Sequence, residues 1–335
     1  MHRGDEIPMK QRLWFFPHLL ALVLLSGCVT YMEAVTAEGS FERALQVSGA
    51  VNLDIRSGSG NIRVVPGSVG QVQIRGAIRV RRGTQAEAEA LVRELEQSPP
   101  IEQTGNDLRI GHFGTESDRY RNVSISYDVT VPAETRAQAR TGSGDVAVQN
   151  LKGPVEARSG SGNVEISNIG DTVNAHTGSG NIRLASVQGA AVAQTGSGDI
   201  RAEGVAGAFT GKAGSGNVVV AQTAPGGATL QTGSGDITAS GLEGPLQAQT
   251  GSGSIKAEGQ PSSNWNLRAG SGDVSLSVPA TAAFDFDAHT GSGSISIDHP
   301  MTVQGKIERR RVQGKVRGGG ALVSVQTGSG TVHVN

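Results

Sequence analysis

One tripeptide, Gly-Ser-Gly, returns along most of this chain at a nearly constant spacing. Its copies begin at Gly142, Gly160, Gly178, Gly196, Gly214, Gly233, Gly251, Gly270, Gly291 and Gly328. The first five copies lie 18 residues apart, and the later intervals are 19, 18, 19, 21 and 37 residues, the last being close to two periods. A regular period in this range is typical of stacked repeat architectures, in which each repeat contacts only its neighbours.

Apolar residues recur at fixed places within each 18-residue window. Counted from the first glycine as zero, they occupy offsets 4, 6, 9, 13 and 15, which in one window are Val164, Ile166, Ile169, Val173 and Ala175. Offsets 4 and 6, like offsets 13 and 15, alternate with polar residues, which is the pattern of a strand with one buried face. Each window therefore predicts one coil with two strand arms, or three if an arm is broken.

A single coil of this kind has no partner for its apolar face, so the coils must stack. We therefore predict an all-β fold, a single-stranded parallel β-solenoid (β-helix) in which equivalent positions form ladders about 4.8 Å apart. The handedness rule for parallel crossovers favours a right-handed coil. Glycine is expected at the corners because it adopts backbone angles that a Cβ atom forbids.

Residues 1–27 predict a targeting segment that is removed from the mature protein. A positively charged start precedes a short apolar run, Leu13–Leu25, which ends in the sequence Leu-Ser-Gly-Cys at Cys28. This ending resembles the signal of bacterial lipoproteins, which implies that Cys28, the only cysteine of the chain, is acylated and anchors the protein in a membrane. Val29 after the cysteine, rather than aspartate, favours the outer membrane. The alternatives are a plain secretory signal and a transmembrane anchor, for which the run is short.

The remaining chain divides into three parts by its pattern. Residues 28–49 are predicted to be a tether, and residues 141–335 to be the regular solenoid. Residues 50–140 are predicted to form N-terminal coils, because Ser57–Ile62 is an early copy of the repeat corner.

Residues 84–97 interrupt the strand pattern of this N-terminal part. Thr84 followed by Glu87 forms a capping box, and an apolar stripe at helical spacing comes directly after it. The stripe consists of Ala88, Leu91, Val92 and Leu95. The segment predicts an inserted helix that covers the side or end of the solenoid, and a partner-binding helix is the alternative.

The charge of the chain is nearly balanced, with 29 Lys and Arg residues against 30 Asp and Glu residues. This balance indicates neither a nucleic-acid partner nor an acidic substrate. Aromatic residues make up only 4% of the chain, which fits a thin core of small aliphatic residues. A sugar-binding cleft usually contains more aromatic residues.

Offset 3 of the repeat carries short polar residues that are candidate calcium ligands, as in the calcium-binding repeats of secreted toxins. These residues are Asp145, Asn163, Asn181, Asp199, Asn217, Asp236, Ser254, Asp273 and Ser294. Aspartate never occupies two consecutive coils, and the period is 18 rather than nine. We therefore expect these side chains to hydrogen-bond the corner backbone, and we predict no metal site.

Other chemistry-bearing residues give no constellation. His176 and His289 share one offset but are predicted to lie six coils apart, too far to share an ion. The corner serines lack a coupled histidine and acid, so no catalytic residue and no cofactor is predicted. Threonines such as Thr177, directly before the corners, are expected to stack as a hydroxyl ladder.

A basic run stands near the end of the chain and contains Arg309, Arg310 and Arg311. A solvated surface is the simplest interpretation of such a run. The functional alternative is contact with an anionic lipid or polysaccharide surface.

The alternating N-terminal strands, the inserted helix, the strand Val123–Pro132 and the repeated Thr-Gly-Ser-Gly corners resemble the DUF4097 family, over roughly residues 40–335. Members of this family are often labelled as proposed adhesins. The resemblance implies a β-solenoid fold and supplies no catalytic residues.

These observations predict a non-catalytic, lipid-anchored protein of the cell envelope whose solenoid binds an unknown envelope or surface partner, with adhesion as the family-level expectation. One alternative is a structural protein whose coils stack end to end through the final strand, Thr331–Asn335. Another is an enzyme that cleaves polysaccharide in a lateral groove, which the low charge of each coil disfavours.

Overall fold

The computed structural model describes residues 34–113, 119–303 and 308–335. Cys28 and the predicted targeting segment lie outside the described residues. Ala34–Asn335 form one compact unit built from two large sheets, here called sheet A, with 14 strands, and sheet B, with 15 strands. The buried faces of both sheets contribute to one continuous hydrophobic core.

The elements follow one another in three groups. The N-terminal group is β1 (Val35–Gln46), β2 (Asn52–Ser57), β3 (Ile62–Pro66), β4 (Gln71–Arg82), α1 (Gln85–Gln97), β5 (Ile101–Thr104), β6 (Asp107–Ile110) and β7 (Val123–Val131). The central group is β8 (Arg136–Thr141), β9 (Val146–Gln149), β10 (Val155–Ser159), β11 (Val164–Ile169), β12 (Val173–Thr177), β13 (Ile182–Val187), β14 (Ala191–Thr195), β15 (Ile200–Val205), β16 (Phe209–Ala213), β17 (Val218–Gln222), β18 (Ala228–Thr232), β19 (Ile237–Leu242), β20 (Leu246–Ser252), β21 (Ile255–Gly259), β22 (Trp265–Ser271) and β23 (Val274–Ser277). The C-terminal group is β24 (Phe284–Ser292), β25 (Ile295–Ile297), β26 (Met301–Val303), β27 (Arg311–Val316), β28 (Ala321–Ser329) and β29 (Val332–Val334).

The central group confirms the parallel solenoid. Each coil gives one strand to sheet B and the next to sheet A, and neighbouring coils pair in parallel with equivalent offsets side by side. Val155 of β10 lies beside Val173 of β12, and Ile166 of β11 lies beside Leu184 of β13. The five predicted apolar offsets are buried in the 18-residue coils that begin at Gly142, Gly160, Gly178 and Gly196, and each coil has two strand arms.

The corner glycines are required for a different reason from the expected one. None of the Gly-Ser-Gly glycines from Gly142 to Gly251 has a φ in the left-handed region. A Cβ atom on Gly180, however, would lie 2.1 Å from the carbonyl oxygen of Gly162 in the preceding coil. The coils therefore approach each other so closely at this corner that only a hydrogen atom fits between them.

The left-handed backbone lies instead at offset 8, which the sequence pattern did not single out. The residues there are Asn150, Asn168, Ser186, Gly204 and Gly241, with φ between 55° and 71°. Asparagine and glycine tolerate this conformation better than other residues. This position turns the chain from sheet A back towards sheet B.

The N-terminal end departs from simple stacking in sequence order. The first coil, β2 and β3, lies between two later ones, because β2 pairs with β6 and β8 and β3 pairs with β7 and β9, all in parallel. Antiparallel pairing of β7 with β4 and of β4 with β1 then extends sheet A. Only two coils therefore form within residues 50–140, and a hairpin of β5 and β6 ends sheet B.

The tether predicted over residues 28–49 is wrong from Val35 onwards. Strand β1 pairs with β4 along its whole length, from Val35 opposite Arg82 to Gln46 opposite Gln71. Ala37 and Phe41 bury their side chains in the core, which gives this segment a reason to be ordered.

The predicted helix is confirmed as α1. The Thr84 hydroxyl caps it by accepting a hydrogen bond from the Glu87 N–H at 3.3 Å, and the predicted apolar stripe is buried. The helix packs on β1 and β4. The Glu96 carboxylate accepts a hydrogen bond from the Ser40 N–H of the edge strand β1 at 3.0 Å, so the helix covers part of an open sheet edge.

The last coil of the chain is not the last coil of the solenoid. Strand β28 lies between β22 and β24, and β29 lies between β23 and β25, all in parallel. The antiparallel strands β27 and β26 follow β24 and end sheet B. End-to-end stacking through Thr331–Asn335 is therefore a wrong prediction, because both edges of β29 are already paired within the chain.

No helix in the described part of the chain has the length and apolar character of a membrane span.

Candidate ligand-binding face

The polar residues at offset 3 form hydrogen bonds between coils. The backbone N–H of each coil donates to the side-chain oxygen at offset 3 of its neighbour: Asn163 N–H to Asp145, and Asn181 N–H to Asn163, at 2.7 and 2.9 Å. The series continues at Asp199, Asn217, Asp236, Ser254, Asp273 and Thr331. These side-chain oxygens thus accept hydrogen bonds from the corner backbone, as expected, but the backbone belongs to the next coil. No group of three or more acidic, histidine or cysteine side chains converges within the described residues.

The hydroxyl residues before the corners, here called the hydroxyl column, point inward. They are Ser57, Thr141, Ser159, Thr177, Thr195, Thr232, Thr250, Thr327 and Thr290. The Thr177 hydroxyl donates to the carbonyl of Gly162 at 2.7 Å and accepts from the Gly180 N–H at 3.2 Å. The hydroxyls therefore bond backbone groups rather than one another, which corrects the expected hydroxyl ladder. The hydroxyl column and the offset-3 residues therefore form hydrogen bonds that hold the coils together.

The outer surface of sheet B is different, because its side chains are free to meet a partner. The sheet brings one outward position of twelve strands into a single row, here called the amide–basic column. In strand order the row is Arg56, Arg140, Arg158, His176, Gln194, Lys212, Gln231, Gln249, Arg268, Gln326, His289 and Arg311. Every member is basic or carries an amide, and none is acidic. The row extends over about 53 Å at the usual strand spacing.

A second row of outward residues runs beside the amide–basic column. Over the seven strands from β12 to β28 it consists of Asn174, Val192, Thr210, Thr229, Gln247, Asn266 and Ser324. These seven strands therefore present no acidic side chain on the outer surface of sheet B. A shallow groove borders the second row, with one cavity of about 430 Å³ along Phe209–Thr210, Ala228–Thr229 and Leu246–Gln247.

The arginines at the N-terminal end of the amide–basic column are neutralised. Arg140 contacts Glu156 at 3.0 Å and Asp54 at 3.7 Å, and Arg158 contacts Glu156 at 2.9 Å. Lys212 and Arg268, in contrast, have no ion pair with any described residue and are exposed. The positive charge available to a ligand therefore lies on the central strands.

Next to the N-terminal end of the column, His112 is nearly buried, with 8% of its side chain exposed. Its Nε2 lies 3.4 Å from the Asp54 carboxylate. Burial is the largest effect and lowers the pKa of His112; Arg56 and Arg109 also lower it, and Asp54 opposes them. His112 thus favours its neutral form in the folded protein.

The sequence-predicted contact residues separate in the structure. Arg311 lies in β27 at the C-terminal end of the amide–basic column and contacts Asp287 at 3.7 Å. Arg309 and Arg310 are exposed in the turn before β27. His176 and His289 occupy the same column seven strands apart rather than six, because β28 is inserted between them. The column itself was missed because its members join only once the strand order is known.

Comparison with known proteins gives one family match. The family model described as Toastrack DUF4097 matches residues 36–204 and, in a second match, residues 170–335. The two matches together cover nearly all of the described chain. No curated protein matched the chain.

Solved structures of low sequence identity are also similar. A proposed lipid-binding protein from Parabacteroides distasonis ATCC 8503 is 11% identical, with a TM-score of 0.41, over 89% of this chain and 97% of that one. A proposed adhesin from Bacteroides fragilis NCTC 9343 is 13% identical, with a TM-score of 0.33 and the same coverage. A proposed cell adhesion protein from Clostridium sporogenes ATCC 15579 is 9% identical, with a TM-score of 0.20, over 89% of this chain and 99% of that one. These likenesses carry no information on function.

Proposed function

Because this chain belongs to the Toastrack DUF4097 family, and because the outer surface of sheet B carries a long row of amide and basic side chains, we propose that it is a non-catalytic binding protein of the bacterial cell envelope. In this proposal, lipid on Cys28 anchors it in a membrane, with the outer membrane favoured. The outer surface of sheet B binds a partner on the envelope or on another cell surface, as an adhesin does.

The observation that carries the binding function is the outer surface of sheet B. The sheet aligns twelve outward side chains of related chemistry in one row, the amide–basic column, although they come from residues 56 to 326 of the chain. The hydrogen bonds of the hydroxyl column and the close corner contacts already account for the stacking of the coils. Stacking therefore does not require the chemistry of these outward side chains, and binding of a partner explains it.

The anchor follows from the lipoprotein-like sequence that ends at Cys28. Two or three acyl chains hold a protein on a membrane stably, whereas one chain does not. Only residues 29–34 separate Cys28 from β1.

The anchor is tested by expressing the full chain and the Cys28→Ser variant in a bacterial host and fractionating the cells. We expect the unchanged chain in the membrane fraction, with an N-terminal peptide whose mass includes the acyl chains. The Cys28→Ser variant should lack this mass and leave the membrane, whereas the corner variant Ser197→Ala should behave like the unchanged chain. Equal membrane association of the Cys28→Ser variant and the unchanged chain would contradict the anchor.

The binding surface is tested with the chain from Val29 to Asn335, which contains the whole compact unit. The measurement is its sedimentation with isolated bacterial envelopes at rising concentration. We expect saturable binding that Thr229→Trp blocks, because this residue lies in the middle of the outer surface of sheet B. Thr238→Trp places the same bulk on the outer surface of sheet A and should bind normally. Equal binding by both variants, or no binding by the unchanged chain, would contradict the proposal.

A further inference from the structure

The cations of the amide–basic column recur at every third strand over most of its length. Arg158, Lys212, Arg268 and Arg311 are each three strands apart. Three strands correspond to about 14 Å. The positions between them hold pairs of neutral or weakly basic side chains: His176 with Gln194, Gln231 with Gln249, and Gln326 with His289.

We propose that this column binds a linear, extended polysaccharide that carries carboxylate groups, with the chain of the polymer running along the solenoid axis. The inference rests on the proposed binding function of sheet B and names its ligand class. Lys212 and Arg268 contact carboxylates, and the glutamine amides between them contact sugar hydroxyls. An amide suits a hydroxyl because it both donates and accepts hydrogen bonds.

The geometry of the row matches a polymer of sugars. Successive side chains stand one strand spacing apart, and each residue of an extended pyranose chain advances by a similar length. A polymer laid along the row therefore offers about one sugar to each strand. Contacts of the cations with carboxylates and of the amides with hydroxyls therefore add along one polymer chain, without the loss of freedom that separate ligands would suffer.

The absence of Phe, Tyr and Trp from these strands further restricts the class of ligand. None of the outward residues on sheet B from β12 to β28 is Phe, Tyr or Trp, and His176 is the one imidazole among them. Stacking of bases on aromatic rings supports single-stranded nucleic-acid binding, so this surface lacks a main component of such a site. The face of a neutral sugar also has no Phe, Tyr or Trp ring to pack against on these strands, so carboxylates are the groups expected to give affinity. A single row, rather than a broad patch, favours a linear polymer over a membrane surface.

The balanced net charge of the chain does not argue against an acidic ligand, because the seven strands from β12 to β28 present Lys212 and Arg268 on the outer surface of sheet B and no acid. The outer surface of sheet A carries both signs of charge, since Glu203 and Glu258 lie there together with Arg183, Arg201 and Lys256. The Debye length is about 8 Å at physiological salt, so a ligand on sheet B responds mainly to the nearby cations.

The test measures binding of sodium polygalacturonate by isothermal titration calorimetry, using the chain from Val29 to Asn335. Fully methyl-esterified polygalacturonate serves as the matched ligand, because it keeps the sugar chain and loses the charge. The double variant Lys212→Gln with Arg268→Gln removes the two unpaired cations of the column. The double variant Arg183→Gln with Lys256→Gln changes the net charge equally on the outer surface of sheet A.

We expect the acidic polymer to bind and the esterified polymer not to bind. Loss of Lys212 and Arg268 should weaken binding about tenfold, since each exposed charge contributes somewhat less than a factor of ten. The sheet A variant should bind like the unchanged chain. Equal binding of the two polymers, or equal loss in the two variants, overturns the proposal.

Oligosaccharide length gives a second measurement. Lys212 and Arg268 lie on the first and last of four successive strands, β16, β18, β20 and β22. Tetragalacturonate is therefore the shortest oligomer expected to reach both cations, and its affinity should rise clearly above that of the trimer. A smooth rise without a step at four residues overturns the alignment.

The two proposals fail in different ways. If envelopes bind to sheet B, as judged by the Thr229→Trp variant, but polygalacturonate does not, the ligand class is wrong and the binding function stands. If neither binds, both proposals fail.

Discussion

Ala213 interrupts the hydroxyl column and offers a direct test of what holds the coils together. It pairs with Thr195 on one side and Thr232 on the other, both of which carry hydroxyls. By the geometry of the neighbouring coils, a hydroxyl at this position would donate to the Gly198 carbonyl and accept from the Gly216 N–H. The substitution Ala213→Thr should therefore complete this part of the column and stabilise the protein.

The magnitude follows from the contacts of Thr195, which is 6% exposed, against 8% for Ala213. The Thr195 hydroxyl donates to the Gly180 carbonyl at 2.9 Å and accepts from the Gly198 N–H at 3.1 Å. A hydrogen bond within a protein contributes about 1 kcal/mol net, so two of them contribute about 2 kcal/mol. Crowding by the added methyl group opposes this gain, and we expect a rise of about 1–2 kcal/mol in the free energy of unfolding.

The assay is chemical unfolding followed by circular dichroism, with Ala213→Val as the matched control. Valine has the shape of threonine and lacks the hydroxyl, so the difference between the two variants isolates the hydrogen bonds. The reverse change, Thr177→Val, should lower the free energy of unfolding by a comparable or larger amount because it leaves a buried carbonyl unpaired. An Ala213→Thr protein no more stable than Ala213→Val would refute the reasoning.

Three further predictions concern backbone and charge. Gly180→Ala should lower the free energy of unfolding by about 1–3 kcal/mol or more, because the alanine Cβ would lie 2.1 Å from the carbonyl oxygen of Gly162 in the preceding coil. Ser179→Ala, at the exposed neighbouring position, should leave the free energy of unfolding nearly unchanged in the same assay. Ser186→Gly should raise the melting temperature, since Ser186 has a φ of 55° and the left-handed conformation costs about 1 kcal/mol in a residue with a Cβ; an unchanged or lower value would mean that the strain is absent. Burial lowers the pKa of His112 in the folded state below 6.5, so the unfolded state takes up a proton first as the pH falls. The free energy of unfolding should therefore be highest above about pH 6.5 and decrease as the pH drops towards the lowered pKa. This pH dependence should be weaker in His112→Gln, and equal pH profiles of the two proteins would count against it.

Much of the coil could be predicted from the sequence, because the information that sets it is local and repeated. The positions of Val164, Ile166 and Val173 in one window fix which faces are buried, and every other window repeats them. The helix was equally accessible, since Thr84 and the apolar stripe that follows it specify both its start and its buried face.

The order of the coils at the two ends could not be predicted in the same way. Every coil presents nearly the same edges, so the sequence of β28 and β29 contains no local mark that places them between β22–β23 and β24–β25. Likewise, nothing near β2 indicates that β6 lies on its outer side. The order of the coils depends on the antiparallel strands at the ends of the sheets, such as β4 and β27, which pair with strands that are distant in the sequence.

Prediction of the binding face from the sequence required the same missing information, the order of the strands in sheet B. Arg268 and His289 join the amide–basic column only through Gln326, which follows both in the chain and lies between them in the sheet. The net charge conceals the face as well, since acids elsewhere in the chain balance the bases of the amide–basic column. The sequence pattern also could not show why glycine is required at the corners. Close approach between coils and a left-handed φ both select glycine, so the sequence does not distinguish these two causes.

The most direct test of the account removes one coil. Deleting Gly178–Thr195 joins Thr177 to Gly196 and restores an unbroken corner, so we predict a protein that unfolds cooperatively and whose maximum dimension in X-ray scattering is shorter by about 5 Å, one strand spacing. Deleting only Gly178–Ser186 should abolish folding, because the following strands lose their register with the core. Equal tolerance of the two deletions, or a full-coil deletion that does not fold, would contradict the stacking of equivalent positions on which the fold and the binding face depend.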